Sequence, residues 1–476
     1  MLNKLIFCFV YLFILKTASS QSVYKINSSR SSSELTSNAP WGVQFNPIAP
    51  HLNIYYGEWN EIELANTIDS LVYHASKMGV KWVRFSINWS SIQDTNGKFH
   101  WNYTDRVVTK LTEKKINIII CLNGGHKKFT KNTSVKGNKE LAAWSIMADS
   151  ISMRYAKDVK YWEIWNEPNT KWFWKPLPVA KEYYELVKIA NATLKKNIPD
   201  VKILGGSVAR LDLPFSDTLI KLGILNYIDI FSIHPYNEFP EAIIKPIKTP
   251  VKVPIQYIEA DHSVYDLKNL LQKKGTTIWQ AECGYPSSAN SLGWTGNGPW
   301  GDTIQAKWLL RRFMTDMIIG SKISIFFTLI DYEEGNPNKY NSKGLLTLNT
   351  FKPKASYYVF QNTASVLQGN IVAEQAQSII NKIEHVGSFN GIMKDDIFQT
   401  SLKNEKYNYF AYWLGWRMQE QVKPATIEIN IKSFKQAVMI DLIKGEYYKL
   451  IPNSNGNAMV KLYDYPIIIA EESAVL

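Results

Sequence analysis

What most restricts this chain is an order that repeats from residue 41 to residue 366: a short apolar run, then a segment with apolar residues at helical spacing, then another run. "WGVQFN" (41–46) precedes a helix pattern over 61–78, where Leu64, Ile68, Leu71, Val72, Ala75 and Met78 share one face and Gly79 ends it. Strand patterns follow at "VKWVRFSI" (80–87), "INIIICL" (116–122), "KYWEIWNE" (160–167) and "VKILGGSV" (201–208). Further ones lie at "IDIFSIHPY" (228–236), "TTIWQAECG" (276–284) and "ISIFFTLID" (323–331). Helix patterns separate them over 105–115, 139–156, 179–196, 216–223, 265–274 and 303–319, and one over 353–366 closes the series. Strands this continuously apolar are buried on both faces, as parallel strands flanked by helices are. Eight such units predict an α/β fold, a (β/α)8 barrel over 41–366, rather than an open doubly wound sheet.

From residue 367 to 476 the period changes. "YNYFAYWLGW" (407–416), "ATIEINI" (425–431), "AVMIDLIKGEYYKLI" (437–451) and "AMVKLYDYPIIIA" (458–470) are short alternating runs, with turns at Lys444-Gly445 and Asn455-Gly456. They predict a small all-β, sandwich-like C-terminal domain. Residues 21–40, including the Ser-rich stretch 28–38, are expected to be mobile and to lend a strand to that domain. Residues 1–20, "MLNKLIFCFVYLFILKTASS", combine an early Lys, an apolar run too short to span a bilayer and the small residues Ala18-Ser19-Ser20. This predicts a cleaved secretory signal, a mature start at Gln21 and a secreted protein.

Loss of Lys4 and Lys16 with that signal lowers the formal charge from +12 to +10. The surplus is spread along the chain, and neither a basic stripe nor a nucleic-acid-binding motif is present, so no nucleic-acid partner is expected. Cys121 and Cys283 are too few for a disulfide scaffold or metal cluster, and as residues of the third and seventh strands they lie across the barrel from one another. Sequons occur at Asn27, Asn88, Asn102, Asn132 and Asn191; the one at Asn88 falls inside a predicted strand, where no glycan is expected.

A barrel of this kind carries its chemistry at the C-terminal ends of the strands. Those ends supply Arg84 on the second strand, Asn166 and Glu167 on the fourth, His234 and Tyr236 on the sixth, and Glu282 on the seventh. Two carboxylic acids thus face each other over one mouth. Cleaving a glycosidic bond with retention needs such a pair, about 5–5.5 Å apart, one protonated to release the leaving oxygen and one ionised to attack carbon. Arg84 would hold one charged, and the tryptophans around Glu167 would favour the neutral form of the other. Glu282 is then the nucleophile and Glu167 the acid, later the base. Glu163, four residues before Glu167, points to the same side but deeper, and is expected to pair with a buried base such as Arg84.

"WNEP" after the fourth strand, together with "WQAECG" on the seventh, resembles the clan A retaining glycoside hydrolases. Within that clan the barrel followed by a β domain is most similar to family 39, with families 5 and 30 as neighbours. The resemblance implies that Glu167 is the acid/base, Glu282 the nucleophile, Asn166 a ligand of the sugar 2-hydroxyl, and Arg84 the group that keeps the nucleophile ionised. His234-Pro235-Tyr236 resembles a His-x-Tyr whose hydroxyl contacts the nucleophile. Many members end the eighth strand with a tryptophan beneath the sugar, where this chain has Phe326, Phe327 and Asp331.

Trp172 and Trp174 after the fourth strand, and Trp294 and Trp300 after the seventh, are candidates to stack on sugar faces or to pack their own loops. The acidic run Asp331, Glu333, Glu334 reads as a solvated loop, so no metal and no cofactor are assigned. The expected partner is a poly- or oligosaccharide. The rival reading is a non-hydrolytic carbohydrate-binding protein on a degenerate barrel.

Overall fold

The computed structural model describes residues 22–28, 31–35, 38–45, 61–245, 263–271, 275–291, 298–333, 340–374 and 378–475. After a short strand β1 (Val23–Lys25), a closed parallel barrel is formed by β2 (Trp41–Gln44), β3 (Trp82–Asn88), β4 (Asn117–Asn123), β5 (Tyr161–Ile164), β6 (Lys202–Ala209), β7 (Ile230–His234), β8 (Thr277–Cys283) and β9 (Ser324–Phe326). Between and after these run α1 (Glu61–Met78), the short α2 (Trp89–Ile92), α3 (Asn102–Glu113), α4 (Gly137–Tyr155) and α5 (Ala180–Asn197). The remainder are α6 (Leu213–Leu222), α7 (Val264–Leu271), α8 (Asp302–Ile318) and α9 (Ala355–Val366). The strands are nearly all apolar because their outward side chains meet these helices in one continuous core.

Inside the barrel the two-residue period of a strand builds layers. The lower layer is apolar: Trp82, Ile119, Leu204, Ile230, Trp279, Ile323 and Ile325, with Tyr161 against them. Its aromatic rings meet edge-on, Trp82 lying 4.9 Å from Tyr161 and 5.3 Å from Trp279. Two residues further along the same strands the side chains become polar: Arg84, Cys121, Glu163 and Ser232. Polar groups buried this deep persist only if they satisfy one another.

Two strands end earlier than their apolar pattern. β5 stops at Ile164 because the backbone turns left-handed at Trp165 (φ 70°) and again at Glu167 (φ 47°). β9 stops at Phe326 because the next residues bond elsewhere: Thr328 N–H donates to Lys343 O (3.1 Å) and Leu329 N–H to Gln44 O (3.1 Å). The segment expected to continue the eighth strand instead leads into a two-stranded hairpin, β10 (Tyr332–Glu333) with β11 (Tyr340–Asn341).

The C-terminal region consists of β12 (Val372–Glu374), β13 (Ile380–His385), β14 (Ile397–Lys403), β15 (Asn408–Leu414), β16 (Ala425–Asn430), β17 (Ala437–Asp441), β18 (Glu446–Lys449), β19 (Asn457–Leu462) and β20 (Ile467–Glu471). One antiparallel sheet runs β1-β18-β17-β20-β15-β14-β12, and a smaller one β13-β16-β19. Alternate residues of β15 serve two cores: Phe410, Tyr412 and Leu414 pack toward the small sheet, and Tyr409, Ala411 and Trp413 join the core shared with the barrel. Buried charges cross that junction. Lys307 of α8 pairs with Asp464 (2.8 Å), and Arg311 with Glu241 (2.6 Å), which also accepts from Trp413 Nε1 (2.6 Å). The Ser-rich segment expected to be mobile is held where it is described: Ser32 N–H donates to Ser76 O (2.8 Å), Lys81 Nζ to Ser32 O (2.7 Å), and Leu35 is buried.

Candidate active site

Arg84 is the centre of the barrel mouth. It is fully buried, and each of its five N–H groups has an acceptor. Nε donates to Glu163 Oε2; Nη1 donates to Gln44 Oε1 (3.0 Å) and Glu282 Oε2 (2.6 Å); Nη2 donates to Asn166 Oδ1 (2.7 Å) and faces Cys121 Sγ (3.4 Å). Despite burial, Glu163 is held well below the usual carboxylate range by Arg84, and it accepts from Ser232 Oγ (2.6 Å). Glu163 therefore lies where the sequence pattern put it, deep in the barrel and against Arg84.

Glu282 reaches the mouth from the end of β8, next to Cys283. One oxygen takes Arg84 and the other accepts from Tyr236 Oη (2.9 Å). Burial, with the Glu282 charge beside it, pushes the Tyr236 phenol well above its ordinary range, so it stays a donor. Both cysteine thiols are pushed up by burial, Cys283 to about 12, which makes neither a nucleophile.

Glu167 sits in the bend after β5, followed by Pro168. Its own N–H donates to Ser207 O (2.9 Å), and Ser207 is itself left-handed (φ 48°). Two non-glycine residues in this region cost on the order of 1–3 kcal/mol each, offset by the fixed neighbours. Asn169 ties the turn down: its Nδ2 donates to Ala209 O (3.1 Å) and Asp212 Oδ2 (2.9 Å), and its Oδ1 accepts from Ala209 N–H (2.9 Å).

His234 ends β7 between two acids. Its Nδ1 is 3.2 Å from Glu167 Oε1, and its Nε2 is 3.5 Å from Glu163 Oε1. Burial alone would lower the imidazole, but Glu163 and Glu167 prevail and push its pKa up to about 9. Donor atoms of Glu167, His234 and Glu282 all lie within 4.8 Å of one another. Among the described residues this set alone converges closely enough to invite a cation. Binding one would first strip a proton from a ring that two carboxylates hold as a cation, so the trio is better read as a charge triangle than a metal centre.

The tryptophans near the mouth fall in different environments. Of the tryptophans around Glu167, Trp165 turns its ring to Trp174 (5.1 Å) and Trp162 is buried in the shared core. Trp174, a candidate either to stack on a sugar or to pack its own loop, does the second: it is 0% exposed, with its Nε1 on Glu182 Oε2 (2.9 Å). Trp172 is 72% exposed, under Lys171 Nζ (5.7 Å). Trp300 is partly buried against Trp308 (5.9 Å) and, with Gly298, Pro299, Arg417, Met418 and Gln419, lines a shallow open groove. Trp294 lies outside the described residues, as does Glu334.

Asp331, expected in a solvated loop, is buried against Lys354 Nζ (2.8 Å) and Gly344 N (2.8 Å), and burial raises its pKa to about 6. Phe326 belongs to the core outside the barrel. Of the residues ending the eighth strand, Phe327 borders the mouth: its N–H donates to Cys283 O (2.9 Å), and its carbonyl crowds Gly284 so closely that a Cβ there would overlap it. Sequence reasoning missed Gln44, Ser232 and Asn169. The first two are lone polar residues inside apolar strands, a signal that was legible; Asn169 follows Pro168 with no such mark.

A family 39 glycoside hydrolase from the gut symbiont Bacteroides cellulosilyticus WH2 superposes with a TM-score of 0.68 at 18% identity, over 93% of this chain and 82% of that one. A family 30 subfamily 8 xylanase from Clostridium acetobutylicum gives 0.59 at 12% identity, over 95% and 98%. A monomeric beta-xylosidase from Caulobacter crescentus CB15 gives 0.56 at 13%, over 91% and 99%. At these identities the likeness is one of fold. The family model "Glycosyl hydrolases family 39" matches residues 25–386, three quarters of the sequence and all of the barrel, so the chain belongs to glycosyl hydrolase family 39.

Proposed function

We propose that this glycoside hydrolase is secreted and works with retention, cleaving a poly- or oligosaccharide through a covalent glycosyl-enzyme intermediate. The observation that carries the reading is the approach of Glu167 and Glu282 oxygens to within 4.8 Å, with only one of the two acids gripped by a guanidinium. That spacing leaves no room for a water between carboxylate and sugar, as inversion would require.

In the first step Glu282 attacks the anomeric carbon while Glu167 gives its proton to the leaving oxygen. The glycosidic bond breaks as the ester to Glu282 forms. Glu167, now ionised, then takes a proton from water, which attacks the same carbon and releases Glu282. Charge in the cluster supports this division of labour. Arg84 places a guanidinium 2.6 Å from Glu282, the acid that must stay ionised, whereas the close partner of Glu167 is the His234 ring at 3.2 Å. Asn166, its Oδ1 taken by Arg84, presents its amide N–H groups to the sugar 2-hydroxyl. Secretion is supported by the pattern of residues 1–20. Among the described residues no helix is long and apolar enough to cross a membrane.

The test is Glu282→Gln beside Glu167→Ala. The first should abolish turnover of aryl glycosides in a folded protein. The second should spare activated aryl glycosides far more than poor leaving groups, and azide should restore its turnover. Product analysis by NMR should show the anomer of the substrate; the opposite anomer would overturn the proposal. Binding without turnover on a broad glycan panel would favour the non-hydrolytic alternative.

A further inference from the structure

We infer that Glu163 is a positioning residue that couples the two catalytic glutamates, bonding Arg84 with one oxygen and standing at ion-pair distance from His234 with the other. The inference rests on the assignment of Glu167 and Glu282 proposed above. Glu163 Oε2 takes Nε of Arg84, the guanidinium whose Nη1 holds Glu282. Glu163 Oε1 faces His234 Nε2 at 3.5 Å, and the opposite ring nitrogen is 3.2 Å from Glu167. The path Glu282–Arg84–Glu163–His234–Glu167 is thus a line of alternating charge across the floor of the mouth. An acid required only to neutralise Arg84 would need no second face toward His234.

Its surroundings are built to keep both oxygens in place. Glu163 is fully buried on β5, and Ser232 of β7 donates to Oε1 at 2.6 Å, fixing the oxygen that looks toward His234. The charged and titratable groups facing it are Arg84 from β3, Cys121 from β4, His234 from β7 and Tyr183 from α5. The Cys121 thiol and Tyr183 phenol are both pushed up by burial, so they stay neutral across the working range. For His234 the neighbours are Glu163, Glu167, Glu282 and Arg84. Loss of the Glu163 charge leaves the buried imidazole with Glu167 as its close acid, and desolvation then favours the neutral ring. A neutral ring no longer favours ionised Glu167. The direct contact at 3.2 Å outweighs the lost repulsion from Glu163, which stands beyond the imidazole. Proton loss from Glu167 becomes harder, and the basic limb of activity moves up.

The experiment compares Glu163→Gln with the wild-type chain on aryl glycosides of graded leaving group. The expected result is a fall in kcat/KM of about a hundredfold for activated and unactivated substrates alike, since both glutamates lose their setting. The basic limb of the pH profile should rise by about one pH unit, and ring NMR should show His234 losing its proton at lower pH than in the wild type. Ser232→Ala, which loosens Oε1 without touching Arg84, should move the same limb in the same direction by a smaller step, and it carries the test alone if Glu163→Gln does not fold. A folded Glu163→Gln with both the limb and the His234 titration unmoved would overturn the inference. Turnover surviving in Glu282→Gln, measured alongside, would instead strike the parent assignment.

Discussion

The Tyr236 hydroxyl donates to Glu282 Oε1 at 2.9 Å, on the carboxylate oxygen that Arg84 does not take. The two donors grip the carboxylate from different elements, Arg84 from β3 and Tyr236 from the loop after β7. The phenol therefore sets orientation, and the guanidinium supplies charge. Removing a hydrogen bond to a charged group costs roughly 1.5–3 kcal/mol. Tyr236→Phe should accordingly lower kcat/KM by about ten- to a hundredfold while melting at the wild-type temperature within a few degrees. Steady-state rates on an activated aryl glycoside check this, and an unchanged rate would remove Tyr236 from the machinery.

Arg84 offers a sharper contrast with lysine. A lysine has one nitrogen and three protons, and cannot reach Glu163, Gln44, Glu282 and Asn166 together from fixed directions. In Arg84→Lys some of those acceptors stay buried and unpaired, which typically costs about 3–5 kcal/mol when one partner of a buried ion pair is removed. Urea unfolding should show a lower midpoint, with activity lost as well. A variant of wild-type stability would mean that water or a neighbour fills the gap.

The barrel was legible because its signal is redundant: eight strand–helix units agree, and α1 runs over the same residues, 61–78, as its apolar stripe. Position along a strand was legible as well, so Arg84, Glu163, Glu167, His234, Tyr236 and Glu282 could be named in advance from the second, fourth, sixth and seventh strands. What could not be read depends on the chain's path after a strand stops. Trp172 and Trp174 are two residues apart in one loop, yet the first is exposed and the second buried, because Trp174 N–H closes a turn onto Thr170 O (2.9 Å) and its ring meets Trp165. β12 and β13 escaped notice for another reason. β13 exposes most of its side chains and β12 is three residues long, so neither shows a clear apolar alternation.

That pair of tryptophans makes a direct test of the loop. Trp174→Ala empties a buried site lined by Trp165 and Tyr183 and should cost about 3–5 kcal/mol of stability. Trp172→Ala touches only an exposed ring and should stay within about 0.5 kcal/mol of wild type. Should thermal unfolding show equal losses for both, the burial of Trp174 would not be what holds the loop.

His234 also ties stability to pH. Its pKa is pushed up to about 9 by Glu163 and Glu167 against the opposing effect of burial, whereas an unfolded chain titrates its imidazole near 6.5. The folded state thus binds this proton more tightly. Its stabilising contribution is whole below about pH 6.5 and is lost as pH rises through about 9, amounting to about 3 kcal/mol for the full window. Asp331 adds a fall of the same direction in a lower window, because its buried carboxyl, raised to about 6, resists ionisation that the unfolded chain completes sooner. Melting temperatures between pH 6.5 and 9.5 therefore separate the two, since Asp331 is already ionised at the start of that range. Wild-type protein should lose stability steadily across it, and His234→Gln, less stable throughout, should show a flatter slope. Parallel slopes in the two proteins would mean that the imidazole is not held as a cation between Glu163 and Glu167.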